Sequence, residues 1–300
     1  MTGIEIFDPR LQRILNPDSR LEQLFTGADW GEGPVWIGEQ RSVVWSDIPN
    51  NRMLRWSADE GLSVFRQPAH FSNGNYRDRD GRLVTCEHGR RCISRTESDG
   101  RVEVLVDRYQ GARLNSPNDL VVKSDGSIWF SDPAYGIMSD REGYRAESEQ
   151  DGCHVYRFDP RSNELSRVAN DFEKPNGLAF SPDETLLYVS DTSASHAADG
   201  CHHIRVFDVL DGRHLINGRL FAEIEPGLPD GFRVDQQGWL YVSSQDSIQV
   251  YSPDGCLLGK VLVPEKISNC TFGGAEGNRL FITASTSLYA ITLNTRGCQS

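Results

Sequence analysis

The stretch Pro175-Asn176-Gly177-Leu178-Ala179-Phe180-Ser181 contains the pattern that decides the fold. In it a polar residue is followed by glycine and a short apolar run, and related patterns recur along the chain. The polar residues that open these units are Glu32, Asn73, Asn118, Asn176, Asp230 and Asn269. Successive openings lie between 39 (230 to 269) and 58 (118 to 176) residues apart. Because about forty residues make one four-stranded blade, the sequence predicts a six-bladed β-propeller whose blades begin near residues 32, 73, 118, 176, 230 and 269.

Short runs that mix β-branched, aromatic and small polar residues lie between these openings. Ser127-Ile128-Trp129-Phe130-Ser131 and Leu186-Leu187-Tyr188-Val189-Ser190 are two examples, and such runs are typical of strands. Asp-Gly pairs such as Asp125-Gly126 separate them and favour hairpin turns, because glycine tolerates positive φ. Helical periodicity is scarce, so we predict an all-β protein.

The last unit is short, whereas an alternating strand pattern at residues 19–26 precedes the first opening. We therefore predict that this N-terminal strand completes the last blade and closes the ring, which protects an open sheet edge. Residues 1–300 are predicted to form a single propeller domain in which residues 1–18 are peripheral. Two polar insertions, around residues 136–152 and 192–201, are predicted to be loops that determine substrate specificity.

Charge and composition exclude several classes of partner. The chain has 31 Lys and Arg against 43 Asp and Glu, a formal net charge of −12, which disfavours binding to nucleic acid or anionic lipid. No apolar run approaches the length of about eighteen residues that a membrane-spanning helix needs. The seven cysteines are odd in number and contain no C-x-x-C pair, so we expect reduced thiols and a cytoplasmic location. No obligate protein partner is evident.

In a propeller the innermost strand of each blade borders the central channel, so equivalent early positions converge on one place. The six opening residues are all acids or amides, and such side chains suit a hard cation better than an apolar core. Glu32 and Asp230 would balance one divalent ion, and the absence of His and Cys argues against a site built for zinc. The predicted metal ligands are Glu32, Asn118, Asn176 and Asp230. For any single Asn-Gly or Asp-Gly pair a simple turn is the alternative, and for Asn73 and Asn269 a structural or pocket-lining role is favoured.

Several blocks of the sequence resemble one known family. These blocks are Trp30-Gly31-Glu32-Gly33-Pro34-Val35-Trp36, Ser116-Pro117-Asn118-Asp119-Leu120, Pro175-Asn176-Gly177-Leu178-Ala179-Phe180-Ser181 and Pro229-Asp230-Gly231. They resemble the signatures of the gluconolactonase, regucalcin (senescence marker protein) and luciferin-regenerating family. Three further blocks resemble its bacterial gluconolactonase branch: Phe71-Ser72-Asn73-Gly74-Asn75, Cys86-Glu87-His88-Gly89 and Ser131-Asp132-Pro133-Ala134-Tyr135-Gly136.

The resemblance implies a six-bladed propeller with calcium or another divalent ion on its axis. It implies that Glu32, Asn176 and Asp230 bind the metal and that Asp230 is also the acid/base. By the same pattern Asn118 is a further ligand or a substrate contact. Ser116 stands where animal members of the family carry an arginine contact.

Such a site has the parts needed to hydrolyse a lactone, which is an ester closed into a ring. A divalent ion polarises the carbonyl and lowers the pKa of a bound water, and a nearby carboxylate accepts the proton. Asp230 is the first candidate for this base and Asp132 the second, although a strand-end turn is the alternative role of Asp132. The residues predicted to contact substrate are Asn118, Asn73, His88, Tyr135 and Trp30. For a single histidine such as His88, a structural role is the alternative.

We therefore predict a metal-dependent lactonase that converts a gluconolactone-like sugar lactone to the aldonic acid. Calcium is the expected cofactor because the ligands are oxygens, with magnesium, manganese or zinc as alternatives. Two other functions remain open at this point, since a fold does not determine a function. One is a propeller that binds calcium or another ligand without catalysis, and the other is a hydrolase of a different ester or a phosphotriester.

Overall fold

The computed structural model describes residues 3–17 and 19–298. Strands β1 (Ile4–Ile6) and β2 (Glu22–Thr26) precede the first blade. Blade 1 contains β3 (Gly31–Ile37), β4 (Ser42–Asp47), β5 (Arg52–Ser57) and β6 (Gly61–Arg66). Blade 2 contains β7 (Ser72–Arg77), β8 (Leu83–Glu87), β9 (Cys92–Thr96) and β10 (Val102–Val106). A two-stranded ribbon follows, formed by β11 (Arg108–Tyr109) and β12 (Ala112–Arg113).

The remaining blades repeat the same antiparallel order. Blade 3 contains β13 (Leu120–Val122), β14 (Ile128–Asp132), β15 (Cys153–Asp159) and β16 (Glu164–Phe172). Blade 4 contains β17 (Pro175–Phe180), β18 (Leu186–Asp191), β19 (His203–Leu210) and β20 (His214–Glu223). Blade 5 contains β21 (Phe232–Val234), β22 (Leu240–Ser243), β23 (Ser247–Tyr251) and β24 (Leu257–Leu262). Blade 6 begins with β25 (Ile267–Gly273), β26 (Arg279–Ala284) and β27 (Ser287–Thr292).

The six blades form a closed ring. Each inner strand contacts the inner strand of the next blade, and β25 of blade 6 contacts β3 of blade 1. The fourth strand of blade 6 is β2, which pairs antiparallel with β27 so that Glu22 lies opposite Ala290 and Thr26 opposite Ser287. The all-β, six-bladed propeller closed by an N-terminal strand is therefore confirmed.

Of the segment predicted to be peripheral, residues 1–18, the structure describes residues 3–17, and these lie at the outer edge of blade 5. Strand β1 pairs with β24, with Ile4 opposite Val261, and gives this blade a fifth strand. A 3₁₀ helix at Pro9–Ile14 follows. Its Leu11 and Ile14 side chains are each 1% exposed and join the apolar cluster shared by blades 5 and 6. The segment is thus anchored by buried apolar area.

Aromatic residues pack between neighbouring blades. Trp129 of β14 meets Phe180 of β17 edge to face, with ring centroids 5.4 Å apart. Tyr241 of β22 meets Phe272 of β25 in the same way at 5.0 Å. Each such pair stabilises the fold by about 0.5–1.5 kcal/mol beyond area burial. These contacts fix the angle between blades and therefore the spacing of residues around the axis.

The two predicted insertions carry little regular structure. The first contains one short α-helix, Tyr135–Met138, and the second one 3₁₀ turn, Ser193–Ser195. A further 3₁₀ turn occupies Gly38–Gln40 at the opposite end of the ring. None of the helices within residues 3–17 and 19–298 has the length and apolarity required to cross a bilayer.

Candidate active site

A cavity of about 290 Å³ opens at the end of the ring where the inner strands begin. It is lined by all four predicted metal ligands, Glu32, Asn118, Asn176 and Asp230. Four of the five predicted substrate contacts also line it, namely Asn118 again with Trp30, Asn73 and Tyr135. The structure therefore brings together residues that are as much as 200 positions apart (30 to 230) in the sequence. A second cavity, of about 400 Å³, lies at the opposite ends of the inner strands and contains none of the predicted site residues.

Bulges in the inner strands direct these side chains toward the axis. The pairing of β3 with β4 shifts register between Glu32 and Val35, and the pairing of β17 with β18 shifts between Pro175 and Leu178. A third shift, between β7 and β8, flanks Asn73. A bulge inserts an extra residue and re-aims its side chain, which is why bulges are common beside functional sites.

The glycine after the opening residue lets adjacent blades approach closely. The Gly177 N–H donates to the Asp230 carbonyl oxygen at 2.9 Å, and a Cβ on Gly177 would lie 2.4 Å from that oxygen. The Gly74 N–H likewise donates to the Asn118 carbonyl oxygen at 2.8 Å, and its Cβ would lie 2.6 Å from it. The Asn176-Gly177 pair thus lies within an inner strand, not in a turn, and its glycine sets the distance between blades 4 and 5.

The surroundings of Glu32 and Asp230 disfavour the ionised form of both carboxyl groups. Burial and the charges of Asp230 and Asp119 raise the pKa of Glu32 well above its usual value. Burial also raises the pKa of Asp230 to about 7, against the opposing charge of Lys266 and a hydrogen bond from Asn176. Glu32 Oε2 accepts hydrogen bonds from the Gly33 N–H (2.8 Å) and from Asn269 Nδ2 (3.2 Å). A cation between two such carboxylates would stabilise both.

The amides of the cavity present oxygen to its interior. Asn176 donates from Nδ2 to Thr192 Oγ1 at 3.1 Å, which leaves its carbonyl oxygen available. Asn73 donates from Nδ2 to His88 Nε2 at 3.2 Å, and its buried Oδ1 has no hydrogen-bond partner among the described residues. Buried polar atoms are rarely left unpaired, so the orphaned oxygen of Asn73 fits a cation or a ligand hydroxyl.

His88 lies behind Asn73 and does not line the cavity. Its Nδ1 is 2.8 Å from the Glu142 carbonyl oxygen, so Nδ1 carries the proton and Nε2 is the acceptor for Asn73. Burial lowers the pKa of His88 to about 4, which keeps the ring neutral. The structure thus gives His88 an orienting contact to Asn73, and it does not place the ring beside the substrate space.

Asp132 is also buried away from the cavity. Its two carboxylate oxygens accept the N–H groups of Asn115 and Ser116, each at 2.8 Å. Burial raises its pKa to about 7, but its side chain is 0% exposed and does not line the cavity. Asp132 therefore holds the segment that leads to Asn118, and the structure does not bring it to the position of a base.

Tyr135 and Trp30 both form part of the cavity wall. The Tyr135 hydroxyl is held by Thr192 Oγ1 (2.8 Å) and Ser195 Oγ (2.9 Å). The Lys266 ammonium lies over the Trp30 ring, 5.4 Å from the centroid of that ring. The 135–142 and 192–196 segments therefore contribute wall residues, as expected of specificity loops.

Several cavity residues were not predicted individually. They are Ile48, Arg141, Glu142, Thr192, Ser195, His196, Leu228 and Lys266. The signal for most of them was their position within the two polar insertions, whereas Lys266 stands three residues before the blade 6 opening at Asn269. Asn269 itself lies one layer deeper, where its Nδ2 bridges Glu32 Oε2 (3.2 Å) and Asp119 Oδ2 (3.3 Å). Among the described residues no three His, Cys, Asp or Glu side chains cluster as a metal site, because amides supply half of the four predicted donors.

A family model described as the SMP-30/Gluconolactonase/LRE-like region matches residues 30–286. The chain belongs to this family. Among curated members, the gluconolactonase of Zymomonas mobilis is 34% identical over 310 residues, covering 97% of this chain and 86% of that protein. A pentonolactonase of Haloferax volcanii is 28% identical and covers 87% and 83% of the two chains.

Solved structures of the SMP-30/gluconolactonase family share the architecture. A gluconolactonase from Xanthomonas campestris is 45% identical, with a TM-score of 0.91 over 97% of this chain and 94% of that chain. A calcium-binding regucalcin from Agrobacterium tumefaciens has a TM-score of 0.76 at 17% identity, over 93% and 95% of the chains, and shows a common fold alone. The predicted family and the predicted fold are both confirmed.

Proposed function

We propose that the protein is a metal-dependent lactonase that hydrolyses a gluconolactone-like sugar lactone to the aldonic acid. One observation carries the proposal: Glu32, Asn118, Asn176 and Asp230 come from four different blades and line one cavity on the propeller axis. The names of the relatives, gluconolactonase and pentonolactonase, support an enzyme of the lactonase class with a sugar lactone as substrate.

The donor set supports a divalent cation held by these four residues. Two carboxylates supply the charge of one divalent ion, and carboxylate and amide oxygens are the ligands of Ca²⁺. Calcium is thus the proposed cofactor, with Mg²⁺ and Mn²⁺ next and Zn²⁺ as a weaker alternative for an all-oxygen site. When bound, such an ion polarises a carbonyl group and lowers the pKa of water.

Asp230 is the proposed acid and base. As water adds to the lactone carbonyl carbon, the carboxylate of Asp230 takes one proton and the carbonyl π electrons move to oxygen. When the tetrahedral carbon collapses, the bond to the ring oxygen breaks, and that oxygen takes the proton from Asp230. The product is an open hydroxy acid, which ionises in solution. Burial of Asp230 favours its protonated form, while a cation beside it would favour the carboxylate, and a group balanced in this way suits the acceptance and return of a proton.

The cavity walls suit a substrate rich in hydroxyl groups. Asn73 and Asn118 offer amides, and the Tyr135 hydroxyl sits within a chain of hydroxyl groups. Trp30 supplies a flat apolar face for the carbon skeleton of the sugar. These residues orient the lactone so that its carbonyl faces Asp230, and a well-oriented reaction gains several orders of magnitude in rate.

The setting of the enzyme is part of the same proposal. Because the site draws on blades 1 to 5, residues 1–300 are proposed to work as a single propeller domain. All seven cysteines are free, which suits a reducing compartment, and we propose the cytoplasm. The negative net charge of −12 supports a small-molecule partner rather than nucleic acid or a membrane surface.

The test is a pH-stat assay with glucono-δ-lactone, corrected for spontaneous hydrolysis. Protein treated with EDTA and desalted is assayed alone and after addition of Ca²⁺, Mg²⁺, Mn²⁺ or Zn²⁺. The variants are Glu32→Gln and Asp230→Asn, with Asp59→Asn as matched control. Asp59 is an exposed carboxylate whose ion pair with the exposed Arg41 spans 3.5 Å, so its loss should have little effect.

The proposal requires activity that EDTA removes and a divalent ion restores. Asp230→Asn should lower kcat by about 10²–10⁴-fold, Glu32→Gln should weaken metal binding, and Asp59→Asn should match the wild type. Calcium binding without turnover of any lactone, ester or phosphotriester in a panel would identify a binding propeller instead. Full activity of the metal-free protein would overturn the metal dependence.

A further inference from the structure

Lys266 lies in the connection between β24 and β25, immediately before the inner strand of blade 6. Its backbone is fixed, because its carbonyl oxygen accepts the Ser285 N–H at 2.9 Å. Its ammonium lies 5.4 Å from the centroid of the Trp30 ring. Both Lys266 and Trp30 line the cavity, so the aromatic face holds the cation against the cavity wall.

The charge of Lys266 is not consumed by an ion pair. Among residues 3–17 and 19–298, no carboxylate lies within 4.0 Å of its Nζ. The other cation on this wall, Arg141, is paired with Asp29 at 3.2 Å. The positive charge of Lys266 nevertheless acts on the cavity, since it lowers the pKa of both Asp230 and Glu142 against the effect of their burial.

We infer that Lys266 forms a subsite of the proposed active site that binds the carboxyl end of the substrate. Its ammonium binds the carbonyl oxygen of the lactone as negative charge develops there. The same ammonium then binds the carboxylate of the aldonic acid product. This inference rests on the proposed lactonase function. In the proposed reaction no proton moves to or from Lys266, and no bond to Nζ forms or breaks. Asp230 carries the proton, and Lys266 balances the charge that appears on the substrate oxygen.

The geometry explains why a fixed cation suits this task. A flexible surface lysine would have to be ordered at the moment of reaction. Here the Ser285 contact fixes the backbone at the start of the side chain, and the Trp30 ring holds the ammonium at its end. Preorganised charge lowers the barrier because it needs no reorganisation as the oxyanion forms. The contact also gives Trp30 a second role, as the support of the cation.

The test compares Lys266→Met, which keeps the length of the apolar stem, with Lys266→Arg, which keeps the charge. The matched control is Lys260→Met, because Lys260 lies in β24 opposite Glu5 of β1 and outside the cavity. Each variant is checked for folding by circular dichroism and for Ca²⁺ binding by calorimetry. The kinetic readouts are kcat, KM, and the inhibition constant of gluconate, which has the carboxylate of the product.

Lys266→Met should lower kcat by about 10²–10³-fold, as the loss of one oxyanion donor does, and should weaken gluconate inhibition at least about tenfold. KM and Ca²⁺ affinity should stay within about threefold, Lys266→Arg should recover most of kcat, and Lys260→Met should match the wild type. A kcat for Lys266→Met within threefold of the wild type overturns the inference. So does a loss of kcat explained by an equal loss of Ca²⁺ binding.

Failure of this inference is distinguishable from failure of the proposed function. If Lys266→Met is active while Asp230→Asn is not, only the subsite is wrong. If wild-type protein with metal does not hydrolyse lactones, the proposed function itself is wrong. Lys266 is half-buried at the cavity wall and outside the apolar core clusters, so its substitution should leave the fold intact. Lys266→Gln provides a second neutral variant if methionine reduces solubility.

Discussion

Replacing Gly177 with alanine tests how the spacing of blades controls the site. A Cβ at this position would lie 2.4 Å from the Asp230 carbonyl oxygen and 2.9 Å from the Gly231 Cα. An ordinary contact needs about 3.5 Å, so the backbones of blades 4 and 5 must separate by about 1 Å. Both neighbours are backbone atoms, so no side-chain rotation relieves the contact.

Two consequences of this displacement are measurable. Overpacking of this kind costs about 1–3 kcal/mol, which for a chain of this length lowers Tm by roughly 2–5 °C. Because Asp230 moves with its backbone, a misplacement of about 1 Å should lower kcat/KM for gluconolactone by about 10²-fold. Thermal denaturation and the pH-stat assay measure the two effects separately.

Gly38→Ala is the matched control, since the nearest atoms to a Cβ there are 3.8 Å away. Gly38 begins the 3₁₀ turn after β3, at the opposite end of the ring. Its substitution should leave both Tm and kcat/KM close to the wild type. Wild-type Tm and kcat/KM for Gly177→Ala would refute the claim that this glycine sets the position of Asp230.

Three further changes test individual residues. Asp132→Asn should lower the free energy of unfolding by about 1–3 kcal/mol, because one buried N–H loses its acceptor. Its kcat should stay within about threefold of the wild type, and a hundredfold loss of kcat would instead assign the base to Asp132. His88 has a pKa of about 4, below its usual 6.5, so the unfolded chain binds the proton first as pH falls and stability is lost from about pH 6.5 toward pH 4. Between pH 7.5 and pH 4.5 the free energy of unfolding measured in urea should fall by about 2–3 kcal/mol more for the wild type than for His88→Gln. Equal falls for the two proteins would show that His88 is not held as a buried neutral ring. Leu11→Ala should lower stability by about 2–5 kcal/mol with unchanged kinetics, and a wild-type Tm would show that the N-terminal segment is not anchored.

Much of the fold was predictable because its pattern repeats. The opening of blade 4 at Asn176 and the opening of blade 5 at Asp230 share one local sequence pattern, so their equivalence in space follows from propeller geometry alone. The convergence of the four proposed ligands on one cavity follows from the same register. The N-terminal strand was predictable because an alternating pattern without a partner coincided with a blade that lacked a strand.

Other features depend on contacts that no local pattern contains. Asp132 ends a strand near the site, as a catalytic acid would, but the N–H groups of Asn115 and Ser116 capture both of its oxygens. Lys266 belongs to no sequence motif. The position of its ammonium is recognised from its contact with Trp30, a residue far away in the sequence. Side-chain direction at such positions is set by contacts with neighbouring blades, which the local sequence pattern does not contain.

The pairing of β2 with β27 has a consequence for how the protein is made. Gln23 contacts Ser287, which follows it by 264 residues, so the first of these strands leaves the ribosome long before its partner exists. At about 5–20 residues per second, translation leaves that strand without its partner for on the order of 10 to 50 seconds. During this interval β2 has no partner strand within its blade, and a chaperone or rapid elongation would protect it from association with other nascent chains.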